Sequence, residues 1–339
     1  SLKKLSLNGK RPIIAIAGNH DSPQRIEAPD PLANECGIVF VGYPMTKVRD
    51  FEIDSGLKII RSDSGFIELR LPSAHYPLRL IATPYASEIR LRQFLGENED
   101  AGLRETLQKH WQSLAETYCD TKGVNILMAH LFVWTQAGEP PEEPDGEKPV
   151  KIGNASIVYS ELIPNQIQYT ALGHLHRSQK IGDRSQVWYS GSPIAYSFSE
   201  AGQAKFVHII DVEPGAEAKV DRIPLQSGRN LKRAIFENVD EAVVWLRENA
   251  EAYSEVTMRT NDFLKADENK RLRDASPFLV SIIPEPQNRS VAQVDKIQVD
   301  MNQSVKELFV QFFRSKQGQE PNSEILDLFD EVVTKTNNE

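Results

Sequence analysis

The sequence predicts an α/β protein whose strands are covered on both faces and present polar residues at their carboxyl ends. Three observations carry this reading. Residues 12–17 (PIIAIA), 124–129 (VNILMA) and 169–172 (YTAL) are apolar runs of strand length. Each gives way at once to side chains able to bind a metal: Gly18-Asn19-His20-Asp21, then His130, then Gly173-His174-Leu175-His176. The runs are nearly continuous rather than alternating, the pattern of strands buried on both sides, and ligands in such folds gather beyond the strand ends.

The remaining elements follow in chain order. Further strands are predicted at 37–41, 65–71, 78–83, 187–190 and 206–212. Between residues 91 and 118, Phe94, Leu95, Leu103, Leu107, Trp111 and Leu114 recur near helical spacing and predict a helical crossover into the strand before His130. Residues 138–149, GEPPEEPDGEKP, read as an exposed loop between two site motifs, able to touch substrate or simply to keep the surface charged. After about residue 224 the character changes. Segments at 229–237, 256–259 and 278–283 alternate with helical stretches at 240–252 and 269–274, a small β-α-β-α-β unit.

Pro284, Pro286 and Asn288 then mark a linker. Beyond it, Val294, Ile297, Met301, Val305, Leu308, Phe309 and Phe312 fall at spacings of three and four, and Ile325, Leu328, Phe329, Val332 and Val333 form a second apolar stripe. A core of the tail's own and a partner protein both satisfy this pattern. The expected division is 1–224, 225–285 and 286–339.

Composition narrows the possibilities. Hydrophobic residues make up 40% and charged residues 26% of the 339, ordinary for a globular chain of this size. The net charge of −9 argues against a surface built throughout to hold nucleic acid. Local basic groups at Lys3/Lys4, Lys10/Arg11, Arg229/Lys232/Arg233 and Lys270/Arg271/Arg273 read first as solvated faces. Cys36 and Cys119 lie far apart without metal-binding spacing, so a disulfide framework and a thiolate zinc site are unsupported. The first residues, SLKKLSLNGK, lack the apolar core of a signal peptide, and no apolar run reaches the ~18 residues of a membrane span. A soluble cytoplasmic protein is expected.

The site residues suggest phosphodiester hydrolysis. That reaction needs an activated water, neutralised phosphoryl oxygens and a stabilised leaving alkoxide, all of which two metal ions ~3.5–4 Å apart supply. Asn19 offers a carbonyl oxygen and His130, His174 and His176 offer imidazole nitrogens, a mixed set suited to manganese, iron or zinc. An extended backbone from Gly173 to His176 would point both histidines the same way. Gly18 and Gly173 would permit a sharp turn. His20, adjacent to Asn19, is assigned to the scissile phosphate, with Asp21 fixing its tautomer. His75, His110 and His208 read as structural. The Ser190-Gly191-Ser192-Pro193 turn reads either as a strand-end turn or as a donor of hydroxyls to phosphate.

At these motifs the sequence resembles a known family. GNHDSP (18–23), AHLFV (129–133), ALGHLHRSQ (171–179) and YSGSPIAYSFSE (189–200) look like those of the SbcD-type nuclease subunits of the calcineurin-like metallophosphoesterases, over nearly the whole chain. The resemblance implies a β-sandwich flanked by helices, a small capping domain, and a helical tail that docks on an SbcC-type coiled-coil ATPase, here through Val305, Leu308, Phe309 and Phe312. It implies a manganese-dependent DNA nuclease, exonucleolytic on duplex from three-prime ends and endonucleolytic on single strands and hairpins, working as a dimer within a heterotetramer in DNA repair, replication and recombination. Carried over residue by residue, Asn19, His130 and His174 would bind the second metal and His176 the first, with His20 catalytic.

The family also has Asp-x-His and Gly-Asp motifs ahead of GNHD. This sequence contains no Asp-x-His, and its only Gly-Asp, Gly182-Asp183, follows the GHLH motif. The expectation is therefore that a further segment belongs upstream and that this chain alone is a weak nuclease. A phosphoesterase acting on small nucleotides or phosphoproteins, and a catalytically impaired module that binds DNA or a partner, are the rival readings.

Overall fold

The computed structural model of the chain describes residues 2–86, 102–138, 157–183, 186–260, 264–285, 305–317, 321, 325, 326 and 329. The chain divides into two compact units, Ser1–Glu285 and Pro286–Glu339.

In the first unit a short helix α1 (Leu2–Ser6) precedes strand β1 (Ile13–Ile16). Helices α2 (Pro23–Glu27) and α3 (Asp30–Asn34) return the chain to β2 (Ile38–Val41), which pairs parallel with β1. Next come β3 (Lys58–Asp63), β4 (Phe66–Arg70) and β5 (Pro77–Thr83), with β4 antiparallel to β3 and β5 antiparallel to β4. Helix α4 (Leu103–Tyr118) leads to β6 (Val124–His130), parallel to β5. The short strands β7 (Val133–Trp134) and β8 (Val158–Tyr159) pair with each other. Then follow β9 (Tyr169–Gly173), β10 (Gln179–Lys180) and β11 (Val187–Tyr189), and a ribbon of β12 (Phe206–Asp211) with β13 (Lys219–Pro224). The main sheet has seven strands in the order β10-β11-β9-β6-β5-β4-β3.

Side chains alternate across a strand, so a sheet with apolar residues at nearly every position must be covered twice. Leu80 and Ala82 of β5 face Ile14, Ile16, Val39 and Val41 of the β1-β2 layer, together with Ile67 and Leu69 of β4. Ile81, Leu127, Ala129 and Leu172 face the other way, onto Leu103, Leu107, Trp111 and Leu114 of α4. The β1-β2 layer on one side of the main sheet and a helix on the other make the sandwich flanked by helices that the family resemblance implies. Trp111 is fully buried and its indole N–H donates to Thr83 Oγ1 at 2.9 Å, so this large side chain leaves no unpaired donor.

The small unit after residue 224 also follows expectation: β14 (Leu231–Phe236), α5 (Val239–Glu248), β15 (Tyr253–Met258), α6 (Ala266–Ala275) and β16 (Leu279–Pro284) form a parallel sheet in the order β14-β15-β16. Asn238 caps α5 by accepting the Asp240 N–H at 2.7 Å. Ala242, Val243 and Leu246 of α5 and Leu272 and Ala275 of α6 pack on Val256 and Met258. In the second unit the described residues form helix α7 (Val305–Gln317), and Ile325, Leu326 and Phe329 are helical. Phe94, Leu95, the loop around 139–149, and Val294, Ile297, Met301, Leu328, Val332 and Val333 lie outside the described residues.

Strands β3, β7, β8, β10 and β13 were not legible in the sequence. Three of them are only two residues long. β13 (KVDRIP) is largely exposed and carries no apolar run.

Candidate functional site

The carboxyl ends of β1, β6 and β9 converge, as the apolar-run-then-polar pattern implies. A cavity of about 560 Å³ opens there, lined by Asn19, His20, His130, His174, His176 and Glu200 among others. After β1 the chain makes a tight turn in which Gly18 N–H donates to Asp21 Oδ2 at 2.7 Å and Asp21 N–H donates back to Gly18 O at 3.3 Å. Asn19 and His20 stand at the head of this turn. Ala17 N–H bonds Val41 O and Ala17 O accepts from Tyr85 N–H, both at 2.9 Å, which ties the turn to β2 and to the loop after β5.

His130 is the centre of the group. Its ring meets that of His174 edge-on at 5.4 Å, and its Nε2 lies 3.0 Å from Asn19 Oδ1. This contact is of hydrogen-bond length and brings together an amide oxygen and an imidazole nitrogen, each of a kind that can bind a divalent ion. The glycines on either side owe their identity to this ring. A Cβ at Gly18 would come within 2.9 Å of His130 Cε1, and one at Gly173 within 2.8 Å of His130 Nδ1. Neither glycine has positive φ, so the sharp turn expected at Gly18, which the chain does make, owes its glycine to the closeness of this ring and not to left-handed backbone, and the same closeness requires Gly173.

The extended backbone predicted for residues 173–176 is likewise corrected. β9 ends at Gly173, and His174 has φ +111°, a conformation L residues rarely adopt. Backbone held off its preferred regions is found where surrounding structure and function demand it, and here it lets His174 turn towards His130. Tyr85 stacks on His174 and meets His130 edge-on, both at 6.3 Å. Just beyond His130 the buried Tyr189 hydroxyl donates to Leu131 O at 2.7 Å and accepts from Val133 N at 2.6 Å, which fixes the chain leaving β6.

Burial, with the neighbouring His174 adding to it, lowers the His130 pKa to about 4, and burial also lowers that of His174. Both rings are neutral at physiological pH, the state in which imidazole binds a metal. Among the described residues no group of three or more His, Cys, Asp or Glu is already closed around an ion position. The donor set nonetheless fits a divalent ion by its chemistry: two neutral imidazoles, an amide oxygen, and His176 on the same cavity wall.

His176 is held differently. Its Nδ1 lies 3.0 Å from Glu200 Oε1, and its ring meets Tyr196 at 5.6 Å. Glu200 is 1% exposed and ion-paired with Lys205. Burial works against its charge, but Lys205 and His176 more than offset this and hold its pKa below the usual carboxylate range. Ser192 resolves the open reading of the 190–193 turn: its hydroxyl donates to Glu200 Oε2 at 3.1 Å and accepts from Lys205 Nζ at 2.9 Å, so it serves the turn. His208 bonds Ser178 Oγ at 3.0 Å, His110 lies on α4 against the core, and His75 lies in an exposed bend. Glu200, Tyr85 and Tyr196 escaped the reading of the residues themselves. Glu200 and Tyr196 sit inside the YSGSPIAYSFSE motif, but no strand-end pattern singles them out.

A mixed sheet in a sandwich with a histidine-rich cavity at its strand ends is the architecture of a metallophosphoesterase. No family model matches the chain. It is 36% identical over 346 aligned residues to the SbcD component of the nuclease SbcCD of Bacillus subtilis (strain 168), an alignment covering 98% of this chain and 81% of that protein. The chain belongs to the SbcD family of nuclease subunits. Among the described residues no helix is long and apolar enough to cross a membrane.

Proposed function

We propose that this chain is the nuclease subunit of an SbcCD-type assembly and hydrolyses DNA phosphodiesters with two divalent ions, manganese foremost, held at the ends of β1, β6 and β9. The observation that supports this most is the convergence of Asn19, His130 and His174 on one cavity in a chain of the SbcD family. When bound, the ions would polarise the phosphoryl oxygens and lower the pKa of the attacking water.

The chain's own residues carry the other tasks. The Asn19 amide oxygen and the imidazoles of His130, His174 and His176 hold the ions. His20, exposed at the cavity wall, directs its ring N–H to the scissile phosphate or the departing oxygen. Asp21 keeps the turn that aims His20 by accepting the Gly18 N–H. The family reading extends to duplex exonuclease action from three-prime ends and to cleavage of single strands and hairpins, in a homodimer joined to an SbcC-type ATPase through Val305, Leu308, Phe309 and Phe312.

The test is degradation of a linear duplex with manganese, comparing the wild type with His20→Ala. Expected is weak metal-dependent cleavage that falls by ~10²–10⁴ in the variant while manganese binding persists. Turnover of a chromogenic phosphodiester with no DNA cleavage would instead assign a small-molecule phosphoesterase. Absence of manganese binding at saturation, with ATPase-partner binding retained, would assign a scaffold.

A further inference from the structure

Glu200 is a buried acid in the wall of an open cavity, and its two oxygens have separate partners. Oε1 lies 3.0 Å from His176 Nδ1 and accepts the Tyr196 N–H at 3.3 Å. Oε2 takes the Ser192 hydroxyl at 3.1 Å and the Lys205 ammonium. Lys205 in turn donates to the His176 carbonyl at 3.2 Å, and Ser192 N–H donates to the same carbonyl at 3.1 Å. The ring and the backbone of one histidine are thus both anchored to a single ion pair. A pair that merely closed the 189–200 loop would need Ser192 and the backbone, and would have no call on an imidazole.

A carboxylate can only accept, so the His176 nitrogen facing it carries a proton, and in the neutral ring the other nitrogen carries the lone pair. We propose that Glu200, held in place by Lys205, is a positioning residue that fixes His176 as its Nδ1–H tautomer and thereby presents Nε2 to a divalent ion. The assignment rests on the metal reading of the cavity given above. It adds a carboxylate that tunes the site without touching the ion, the arrangement by which acids behind metal-binding histidines orient the ring and raise its basicity.

The experiment replaces the pair by apolar groups of similar size, Glu200→Leu with Lys205→Met, so that no lone buried charge remains to unfold the chain. Manganese affinity is measured by calorimetry, and the His176 tautomer by nitrogen-15 NMR of the metal-free protein, with His176→Gln assigning the resonance. Expected are a wild-type His176 in the Nδ1–H form, a mixture of tautomers in the double variant, and manganese binding weaker by ~10–100-fold at unchanged melting temperature.

A folded double variant that binds manganese like the wild type overturns the proposal, as does a wild-type ring that is not the Nδ1–H tautomer. If the double variant does not fold, Glu200→Gln decides, because losing the charge alone should weaken binding by roughly tenfold and an unchanged affinity overturns the idea. A wild type that binds no manganese sinks the metal reading instead, and the tautomer measurement still decides the role of Glu200.

Discussion

His130 shows how little room a site residue leaves. Its ring is clasped between Gly18 and Gly173, each near enough that one added methyl would overlap it. Gly173→Ala should therefore push the ring off Asn19 Oδ1, lower stability by ~1–3 kcal/mol as overpacking does, and weaken manganese binding, read by urea unfolding and calorimetry. Wild-type affinity in that variant would show that His130 is dispensable for the metal. Asn19, His20, His130, His174 and His176 were legible in the sequence because each follows an apolar run, and position along a strand is a one-dimensional property. The reason for the glycines, the positive φ of His174 and the carboxylate behind His176 are three-dimensional. They depend on which ring occupies which space, and a residue 24 positions from His176 gives no local sign of facing it.

At the scale of the element, α4 was the clearest forecast within its described part. Leu103, Leu107, Trp111 and Leu114 are all buried, so the helical spacing read from the sequence maps directly onto the packed face. His110 on the same helix adds a consequence for acid stability. Burial lowers its pKa below the ordinary 6.5, with Asp63 acting in the opposite direction. The unfolded chain then binds a proton more readily than the folded one, so stability is fully present above pH 6.5 and is lost as pH falls towards the depressed folded value. His110→Leu should flatten the dependence of unfolding free energy on pH below 6.5, measured by urea denaturation at a series of pH values. It should not abolish that dependence, because His130, His174 and His208 are shifted the same way. An unchanged slope would mean that the His110 imidazole is solvated in the folded protein. Elements such as β13 were illegible because a half-solvated ribbon needs no apolar pattern to pair.

At the scale of the molecule, the tail refines the docking expectation. In the second unit Phe309 stacks on Phe329 with ring centroids 4.1 Å apart, so part of the apolar stripe serves the tail itself. Phe312 is 60% exposed on the same helix. Phe312→Asp should accordingly abolish binding to an SbcC-type coiled-coil partner in a pull-down while leaving the helicity of the tail and any phosphoesterase turnover unchanged. Phe309→Asp should lose both partner binding and tail structure. Retained partner binding in Phe312→Asp would place the docking surface elsewhere.

The parallel register of β6 and β9 has a further consequence, for how the site is lost. Ala129 stands opposite Leu172 and His130 opposite Gly173, and the same ladder sends Leu127 to one core and Ile126 to the other. A slip of one residue would exchange the two faces along the whole strand. Neither strand can therefore drift to a neighbouring alignment, and the histidines cannot be misplaced by gradual loosening of the sheet. Amide hydrogens of Leu127 to His130 should exchange with solvent only through global unfolding, so the histidine cavity persists intact or disappears with the fold.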